Sequence, residues 1–261
     1  MASVCLAYSE FCTRATRIEQ ALLRKFENDG FNVHVLFEYQ YNPIAMSEYN
    51  PKSKALPGSW IAKRIWGERA FVRVSFLALE GNVSSIDELE LGQFRKLRRF
   101  SLASDTLRSL SGVEDADFLK RIRLSNSKLL HSDQLCKLGQ LGSLQTLNLD
   151  NLGGLTHLKI DGFPTQDICV DDCSELEKFE CSNITTQLTI DLQNCSNLSF
   201  VRVSECELTD VFITNCNRLK SILLWNIPDA AQVDSDQAVE VERIMKVEHE
   251  LNLGLNMGPP S

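Results

Sequence analysis

The stretch CSNLSFVRVSECELTDVFITNCNRLKSILLWN, residues 195–226, decides the fold class because one short pattern occurs in it three times. Read as L-x-x-L-x-L, the pattern begins at Leu198, Leu208 and Leu219, with steps of 10 and 11 residues. Alternate residues of a strand point to opposite faces, so the fourth and sixth positions are predicted to face a core while their neighbours face outward. The short period predicts two strands in each circuit of the chain.

The same pattern continues towards the N-terminus. Earlier starts of the closely spaced series are Leu144, Leu155, Thr165, Leu176 and Gln187. Towards the N-terminus the starts are more widely spaced: Leu97, Leu119 and Leu144 are 22 and 25 residues apart. The longer connection there, residues 131–141, has room for a helical turn. One circuit cannot bury its apolar face alone, so the pattern predicts a leucine-rich-repeat solenoid that changes from α/β to mostly β along its axis.

Cysteine recurs at the predicted turns, with Cys173, Cys195 and Cys216 in one column and Cys206 in the other. The chain has nine cysteines, an odd number, and no export signal, so we expect reduced thiols. Small, weakly polar thiols are expected to fill the tight turns and to hydrogen-bond the backbone.

The chain is predicted to have three regions: an N-terminal cap, the solenoid and a C-terminal cap. Residues 1–70 are predicted to form a small α/β N-terminal cap, with a helix over 13–28, a strand over 31–41 and a short helix that carries Ile61, Ile65 and Trp66. Residues 71–228 are predicted to form the solenoid, beginning at the strand F-x-x-V-x-F over 71–76.

The last region, residues 229–261, is predicted to be a helical C-terminal cap followed by a loose tail. Within 235–252, the apolar positions that fall on one helical face are Val239, Ile244, Val247 and Leu251. A solenoid needs an ending that covers the apolar and hydrogen-bonding edge of its last circuit.

Four segments carry a resemblance to a known family. They read DGFNVHV at 29–35, LPGSWI at 56–61, GERAF at 67–71 and VRVSF at 72–76. In this order they resemble the leucine-rich-repeat proteins of planctomycete-type bacteria. The resemblance implies a bacterial repeat protein, and the family offers no established biochemical activity to carry over. Many members bear an upstream membrane anchor, which this sequence does not show, so we expect a cytoplasmic protein unless an anchoring segment is missing.

Charge and composition limit the classes of partner that the chain is expected to bind. The net charge of −8 and the pI near 5.1 argue against general binding to nucleic acid or to anionic membranes. No apolar run approaches the roughly 18 residues of a membrane-spanning helix. We therefore expect a monomer that binds a protein partner and has neither a nucleic-acid ligand nor a membrane segment.

An enzymatic alternative is a Toll/interleukin-receptor-like domain that cleaves NAD as a signalling enzyme. Residues 4–10, 57–61 and 84–89 look like its three conserved boxes, and this resemblance would make Glu88 the catalytic residue. Against it, the repeats begin near residue 71 and leave no chain for the remaining elements of that domain. The competing interpretation of Glu88 is a solvated carboxylate in the first turn between strands.

The outward positions supply the candidate binding residues. On the first side of the predicted solenoid they are Arg99, Arg121, Arg123, Asp167, Asp171, Asp191, Asp210 and Phe212, and Trp225 lies on the opposite side. The first side runs from basic to acidic. It is either a bipolar surface for a protein partner or an ordinary solvated sheet face. The stacked aspartates lack the glycine-rich loop spacing of calcium solenoids, and no CxxC pair occurs, so no metal site is expected. The sequence offers no convincing catalytic site, so we expect neither catalysis nor a cofactor.

Overall fold

Over residues 2–39 the chain forms one long helix and one strand. The computed structural model of the chain describes residues 2–39 and 72–245. Helix α1 (Ala2–Asn28) begins 11 residues before the predicted start at 13, and Gly30 follows it with a φ of 85° that favours glycine. Strand β1 (Asn32–Tyr39) follows. The short helix predicted at 61–66 lies outside the described residues.

A nine-stranded sheet, the major sheet, runs along the molecule. After β1 its strands are β2 (Val72–Glu80), β3 (Arg99–Ala103), β4 (Arg121–Ser125), β5 (Thr146–Asp150), β7 (Asp167–Asp171), β9 (Leu188–Gln193), β11 (Leu208–Thr214) and β13 (Gln232–Ser235). They are hydrogen-bonded in that order. The pair β1–β2 is antiparallel and every later pair is parallel.

A second, parallel sheet of five strands, the minor sheet, takes the intervening strands. They are β6 (His157–Asp161), β8 (Lys178–Ser182), β10 (Phe200–Ser204), β12 (Ser221–Trp225) and β14 (Glu240–Ile244). From β5 onward, consecutive strands alternate between the two sheets. Before β5 the return segments contain short 3₁₀ helices (Ile86–Leu89, Leu91–Gln93 and Val113–Asp115), then α2 (Ser132–Leu135) and a 3₁₀ helix at Cys136–Gln140. The described part of the chain is therefore mostly sheet, with parallel strands and few helices.

The core lies between the two sheets, and its predicted composition is confirmed. All sixteen predicted inward residues are buried: Leu147, Leu149, Ile168, Val170, Ile190, Leu192, Val211 and Ile213 from the major sheet, and Leu158, Ile160, Phe179, Cys181, Val201, Val203, Ile222 and Leu224 from the minor sheet. Together with the apolar residues of α1 they form one continuous cluster. Stacking of like residues on successive parallel strands explains why a two-residue alternation suffices to specify the core.

Strands end at corners where the backbone takes a left-handed conformation. Asn126, Asn151, Asn194 and Asn215 have φ values from 51° to 61°, a region that asparagine tolerates better than most residues. Their amides also link neighbouring circuits. Asn151 Nδ2 donates to Asn126 Oδ1 at 2.9 Å, and Asn215 Nδ2 donates to Asn194 Oδ1 at 2.9 Å.

Buried thiols fill the turns, as the sequence predicted. Cys173, Cys195, Cys206 and Cys216 are buried. Cys195 Sγ donates to the carbonyl of Gln193 at 3.2 Å, and Cys206 Sγ and Cys216 Sγ donate in the same way to the carbonyls two residues before them. The prediction that thiols satisfy backbone groups in these turns is confirmed.

The register predicted for the first repeat strand, which is β2 of the major sheet, is wrong. Leu77 pairs with Phe100 and Leu79 with Leu102, so the inward motif is V-x-x-L-x-L from Val74 rather than from Phe71. Phe76, predicted to face the core, pairs with Arg99 on the outward side. Apolar residues at both 74 and 76 made the shifted alignment equally good by sequence, and strand pairing decided between them.

The predicted C-terminal helix is also wrong over the described residues. Strands β13 and β14 occupy Gln232–Ser235 and Glu240–Ile244 and extend both sheets by one strand. Arg243 pairs with the core residue Leu224 and so takes an inward position at the edge of the minor sheet. Its guanidinium donates to the carbonyls of Pro228 at 3.3 Å and Ala231 at 2.6 Å. A charge at this position protects the open edge from further pairing.

Helix α1 is joined to the major sheet by a buried ion pair. Arg73 Nη2 lies 2.6 Å from Glu19 Oε1, and Arg73 Nε donates to the same oxygen at 2.8 Å. The other oxygen of Glu19 accepts the N–H of Val74 at 3.1 Å. Leu22 and Phe26 of α1 are buried beside this pair of elements, and Phe26 stacks on Phe94. The helix thus covers the first end of the core.

Candidate docking face

From β3 onward, the outward side of the major sheet arranges its residues in three rows that cross the strands. On β2 the same rows hold Phe76, Ala78 and the exposed Glu80. Row 1 contains Arg99, Arg121, Thr146, Asp167, Thr189, Asp210 and Gln232. Row 2 contains Ser101, Arg123, Asn148, Cys169, Asp191, Phe212 and Asp234. Row 3 contains Ala103, Ser125, Asp150, Asp171, Gln193 and Thr214. Eight of the nine predicted binding residues therefore share one face.

The basic half lies on β3 and β4. Arg99 and Arg121 are directly paired neighbours in row 1, and like charges in this position repel each other. The guanidinium of Arg99 lies over the ring of Phe76, 5.2 Å from its centre. The Nε of Arg99 is buried and has no hydrogen-bond partner among the described residues. Arg121 is exposed, so this half presents positive charge to solvent.

The acidic half begins at β5 and extends to β13. Its outward aspartates are Asp150, Asp167, Asp171, Asp191, Asp210 and Asp234. The three rows contain no lysine or arginine from β5 to β13. Neutral donors contact some of these carboxylates: Thr146 Oγ1 lies 3.3 Å from Asp167, and Asn194 Nδ2 lies 2.8 Å from Asp171.

The two halves meet at Arg123 and Asp150. Arg123 Nη2 lies 2.6 Å from Asp150 Oδ2, across neighbouring strands. This pair neutralises one charge of each half and leaves the outer members of both halves available to a partner. The boundary between positive and negative potential therefore runs between β4 and β5.

The acidic character of the face is also seen in the thiol at its centre. Burial raises the pKa of Cys169 to about 11, and the neighbouring carboxylates of Asp191, Asp171 and Asp150 contribute to the increase. Negative groups disfavour a second anion in the same place. The thiol therefore remains neutral at physiological pH and is a poor nucleophile.

Phe212 gives the acidic half an exposed aromatic surface. It is 41% exposed and lies in row 2 between Asp191 and Asp234. Asp191 Oδ2 accepts from Gln193 Nε2 at 2.8 Å, whereas its Oδ1 is buried and has no hydrogen-bond partner among the described residues. An aromatic ring flanked by carboxylates favours a cation, above all a guanidinium.

Trp225, the ninth predicted residue, lies on the minor sheet. Its ring is 36% exposed and packs under the guanidinium of Arg202, 5.3 Å from the ring centre. On the same sheet, His157 Nε2 lies 3.7 Å from Glu180 Oε2. Trp225 therefore cannot contact a ligand together with the eight residues of the major sheet unless that ligand surrounds the edge of the molecule.

Glu88, the residue of the enzymatic alternative, has a local structural role. It lies in the 3₁₀ helix Ile86–Leu89 and accepts from the Ser85 N–H at 3.0 Å and from the Ser84 N–H at 3.2 Å. The Ser84 hydroxyl also donates to it, and this hydrogen bond is the main reason why the pKa of Glu88 is lowered. Together with Ser85 it forms a capping box.

The other segments of that alternative are placed as follows. Residues 4–10 lie within helix α1, and residues 57–61 lie outside the described part of the chain.

Pockets and metal sites were sought across the described ranges. A shallow cavity of about 240 Å³ lies against the early return segments and is lined by residues such as Phe94, Asp115 and Phe118, away from the three rows. No three His, Cys, Asp or Glu side chains within residues 15–36 and 73–245 are placed to hold a metal ion. Among the described helices, none has the length and apolar character needed to cross a membrane.

Three features of this face are not predicted from the sequence. Asp234 lies one residue before the predicted helix at 235–252, although the alternation in QVDS, residues 232–235, is that of a strand. Asp150 takes the outward position that the alternation predicts, but its ion pair with Arg123 depends on the orientation of both side chains. Phe76 lies on the outward side, whereas the incorrect register predicts it in the core.

Comparison of the chain with known protein families, with curated proteins and with solved structures finds no match.

Proposed function

We propose that the chain is a leucine-rich-repeat-type solenoid of a bacterial cell that acts as a non-catalytic protein-docking module, with the outward side of the major sheet as its binding face. One observation carries the proposal: the three rows separate positive charge on β3 and β4 from six aspartates on β5 to β13. Random solvated faces mix the two signs. A separated pattern favours a partner of complementary charge and steers its approach.

Two further features support docking on an open face. The inward residues are committed to the core, so outward substitutions can change binding without unfolding the chain. Phe212 supplies the exposed aromatic group that is enriched at protein interfaces. In this proposal the protein is a cytoplasmic monomer that uses neither a cofactor nor a metal ion.

Charge reversal tests the proposed face. The chain is used as bait in its native host, with proximity labelling to identify the partner. Association with that partner is then measured for Arg121→Glu/Arg123→Glu, for Asp167→Lys/Asp210→Lys and for Lys159→Glu/Lys178→Glu. We expect both major-sheet variants to weaken capture and the minor-sheet control to leave it unchanged. Added salt should weaken capture as well, because exposed charges are screened over about 8–10 Å.

The same experiment distinguishes the enzymatic alternative. A Glu88→Ala variant is compared with the charge-reversed variants for partner capture and for NAD cleavage. If capture is unchanged in both major-sheet variants, the docking face is refuted. NAD loss that depends on Glu88 would instead establish the signalling enzyme.

A further inference from the structure

The spacing of charges across the major sheet defines the chemistry of its partner more narrowly. In row 1, Arg121 is separated from Asp167 by two strand steps and from Asp210 by four. Neighbouring strands lie about 4.8 Å apart, so these separations are about 10 Å and about 19 Å. An extended peptide rises about 3.3 Å per residue and covers the same distances in about three and about six residues.

Each half has groups that lack a partner of opposite charge. Arg99 and Arg121 lie side by side and repel each other, and Arg99 Nε is buried without a hydrogen-bond acceptor among the described residues. In the acidic half, Asp191 Oδ1 is buried without a donor among those residues. Because the Arg123–Asp150 pair has already neutralised the boundary, a partner gains most at the two ends.

We propose that the face binds one extended segment of a partner protein, which crosses the strands and carries carboxylates at one end and arginine at the other, about six residues apart. This proposal rests on the docking function above. The carboxylates lie over Arg99 and Arg121, and the arginine lies over Phe212 between Asp191 and Asp210. Arginine fits this end better than lysine because its planar guanidinium can stack on the ring while it donates to carboxylates.

A second copy of the chain is the competing occupant of this face. With a twofold axis parallel to the strands, the basic half of one copy would lie over the acidic half of the other, whereas with the axis across the strands the arginines of β3 and β4 would oppose themselves. Sedimentation of the chain at the concentrations used for binding distinguishes the occupants. We expect the mass of one copy, and a mass of two copies that Asp210→Lys abolishes would overturn the partner segment in favour of a dimer.

Synthetic peptides test the proposal directly. The bipolar probe has two glutamates, a neutral spacer of five residues and two arginines, and it is prepared in both chain directions. One comparison probe replaces the glutamates by glutamine, and a second shortens the spacer to one residue. Affinity for the full chain is measured by fluorescence anisotropy at low and at physiological salt. We expect the bipolar probe, in one direction, to bind more tightly than both comparison probes, by up to about fivefold for each charge pair gained.

Variants of the chain assign the two ends. Arg121→Glu should weaken binding of the bipolar probe. Binding of the glutamine probe should be unchanged or tighter in this variant. Asp210→Lys should weaken binding of both probes, and Lys178→Glu on the minor sheet should change the affinity of neither.

The results separate this inference from the docking function. If the glutamine probe binds as tightly as the bipolar probe, the bipolar segment is refuted, whereas sensitivity to Asp210→Lys would keep the docking face. If no probe responds to Arg121→Glu or Asp210→Lys, the segment is refuted. If capture of the native partner is also insensitive to both changes, the docking face fails too.

Discussion

Arg123 and Asp150 form an ion pair across neighbouring parallel strands, with 2.6 Å between Nη2 and Oδ2. The two residues lie in different rows, so the arginine side chain extends diagonally to reach the carboxylate. Both are outward, and the arginine is more than half exposed. The pair therefore marks the boundary between the basic and acidic halves without being part of the core.

The first prediction concerns the energy of this pair. Exposed ion pairs contribute little to stability because water and salt screen them, so a double-mutant cycle of Arg123→Ala and Asp150→Ala should give a coupling of about 0.2–1 kcal/mol. The measurement is the unfolding free energy from urea titration at low and at high salt. A coupling above about 2 kcal/mol that salt does not reduce would contradict this expectation. It would mean that the pair contributes substantially to the free energy of unfolding.

The second prediction tests the core. Ile190 and Val203 are fully buried, one from each sheet. Replacing either by aspartate buries an unpaired charge, and we expect a loss of more than about 4 kcal/mol with cooperative unfolding of several circuits.

Thr214→Asp is the matched control for these core substitutions, because Thr214 is exposed on β11 and should change stability by less than about 0.5 kcal/mol. Thermal unfolding followed by far-ultraviolet circular dichroism compares the three variants. Wild-type melting of either core variant would be incompatible with the observed inward register.

The sequence was sufficient for the inward residues but not for the ends of the sheets. At Leu147 and Leu149, for example, a two-residue alternation inside a recurring motif leaves one arrangement that buries both side chains. At Val239 and Ile244 the spacing fits a helix, while VEVERI over 239–244 fits a strand equally well. Pairing with β12 decides the structure, and that contact is absent from any local pattern.

The proposed docking face shows the same limit. The outward positions follow from the core register, so the predicted arginines and aspartates lie where the alternation places them. Which charges neutralise each other depends on side-chain orientation across strands, as Arg123 and Asp150 show. The buried Nε of Arg99 and Oδ1 of Asp191 likewise arise from packing between circuits, which the linear sequence does not encode locally.

The third prediction concerns the thiols. Cys136 is exposed, whereas Cys173 is buried, and burial raises the pKa of Cys173 to about 12. Because the thiolate is the reactive form, alkylation of the native chain should label Cys136 rapidly and leave Cys173, Cys195 and Cys216 protected. Mass-spectrometric peptide mapping identifies the labelled positions.

Denaturant without reductant should then make all nine thiols of the chain reactive. A smaller number would reveal disulfides or a bound metal ion and would place the protein in a different redox compartment.

The fourth prediction concerns the edge at the last strand. Arg243 donates to the carbonyls of Pro228 and Ala231, so Arg243→Ala should leave these acceptors to water and loosen the last circuit by about 1 kcal/mol. Hydrogen exchange of β12 to β14 should speed up, with β8 unaffected. Glu242→Ala is the control, since Glu242 is an exposed neighbour on the same strand. Equal protection in both variants would show that the guanidinium does not hold this edge.

The last prediction uses the buried pair of Glu19 and Arg73, whose side chains are only 2% and 3% exposed. Removing one partner of a buried ion pair leaves the other buried and uncompensated, so Arg73→Met should destabilise the chain by about 3 kcal/mol at neutral pH. The double variant Glu19→Gln/Arg73→Met removes both charges and should recover part of that loss. Recovery separates the charge effect from simple loss of packing.

The titration of Glu19 also gives the unfolding free energy a pH dependence of definite sign. Burial raises the pKa of Glu19 above its usual 4.5, an effect larger than the lowering by the hydrogen bonds and charge of Arg73. The folded chain therefore binds the proton more tightly than the unfolded chain does, so the titration of Glu19 contributes stability that is fully present below pH 4.5 and is lost as pH rises through the higher folded value. Consequently the unfolding free energy of the wild type minus that of Glu19→Gln should decrease as pH rises above 4.5.

Urea titrations at a series of pH values measure this difference, with Glu27→Gln as a control because Glu27 is an exposed carboxylate on the same helix. A difference that grows with pH would show that Arg73 outweighs burial and lowers the pKa of Glu19 in the folded chain.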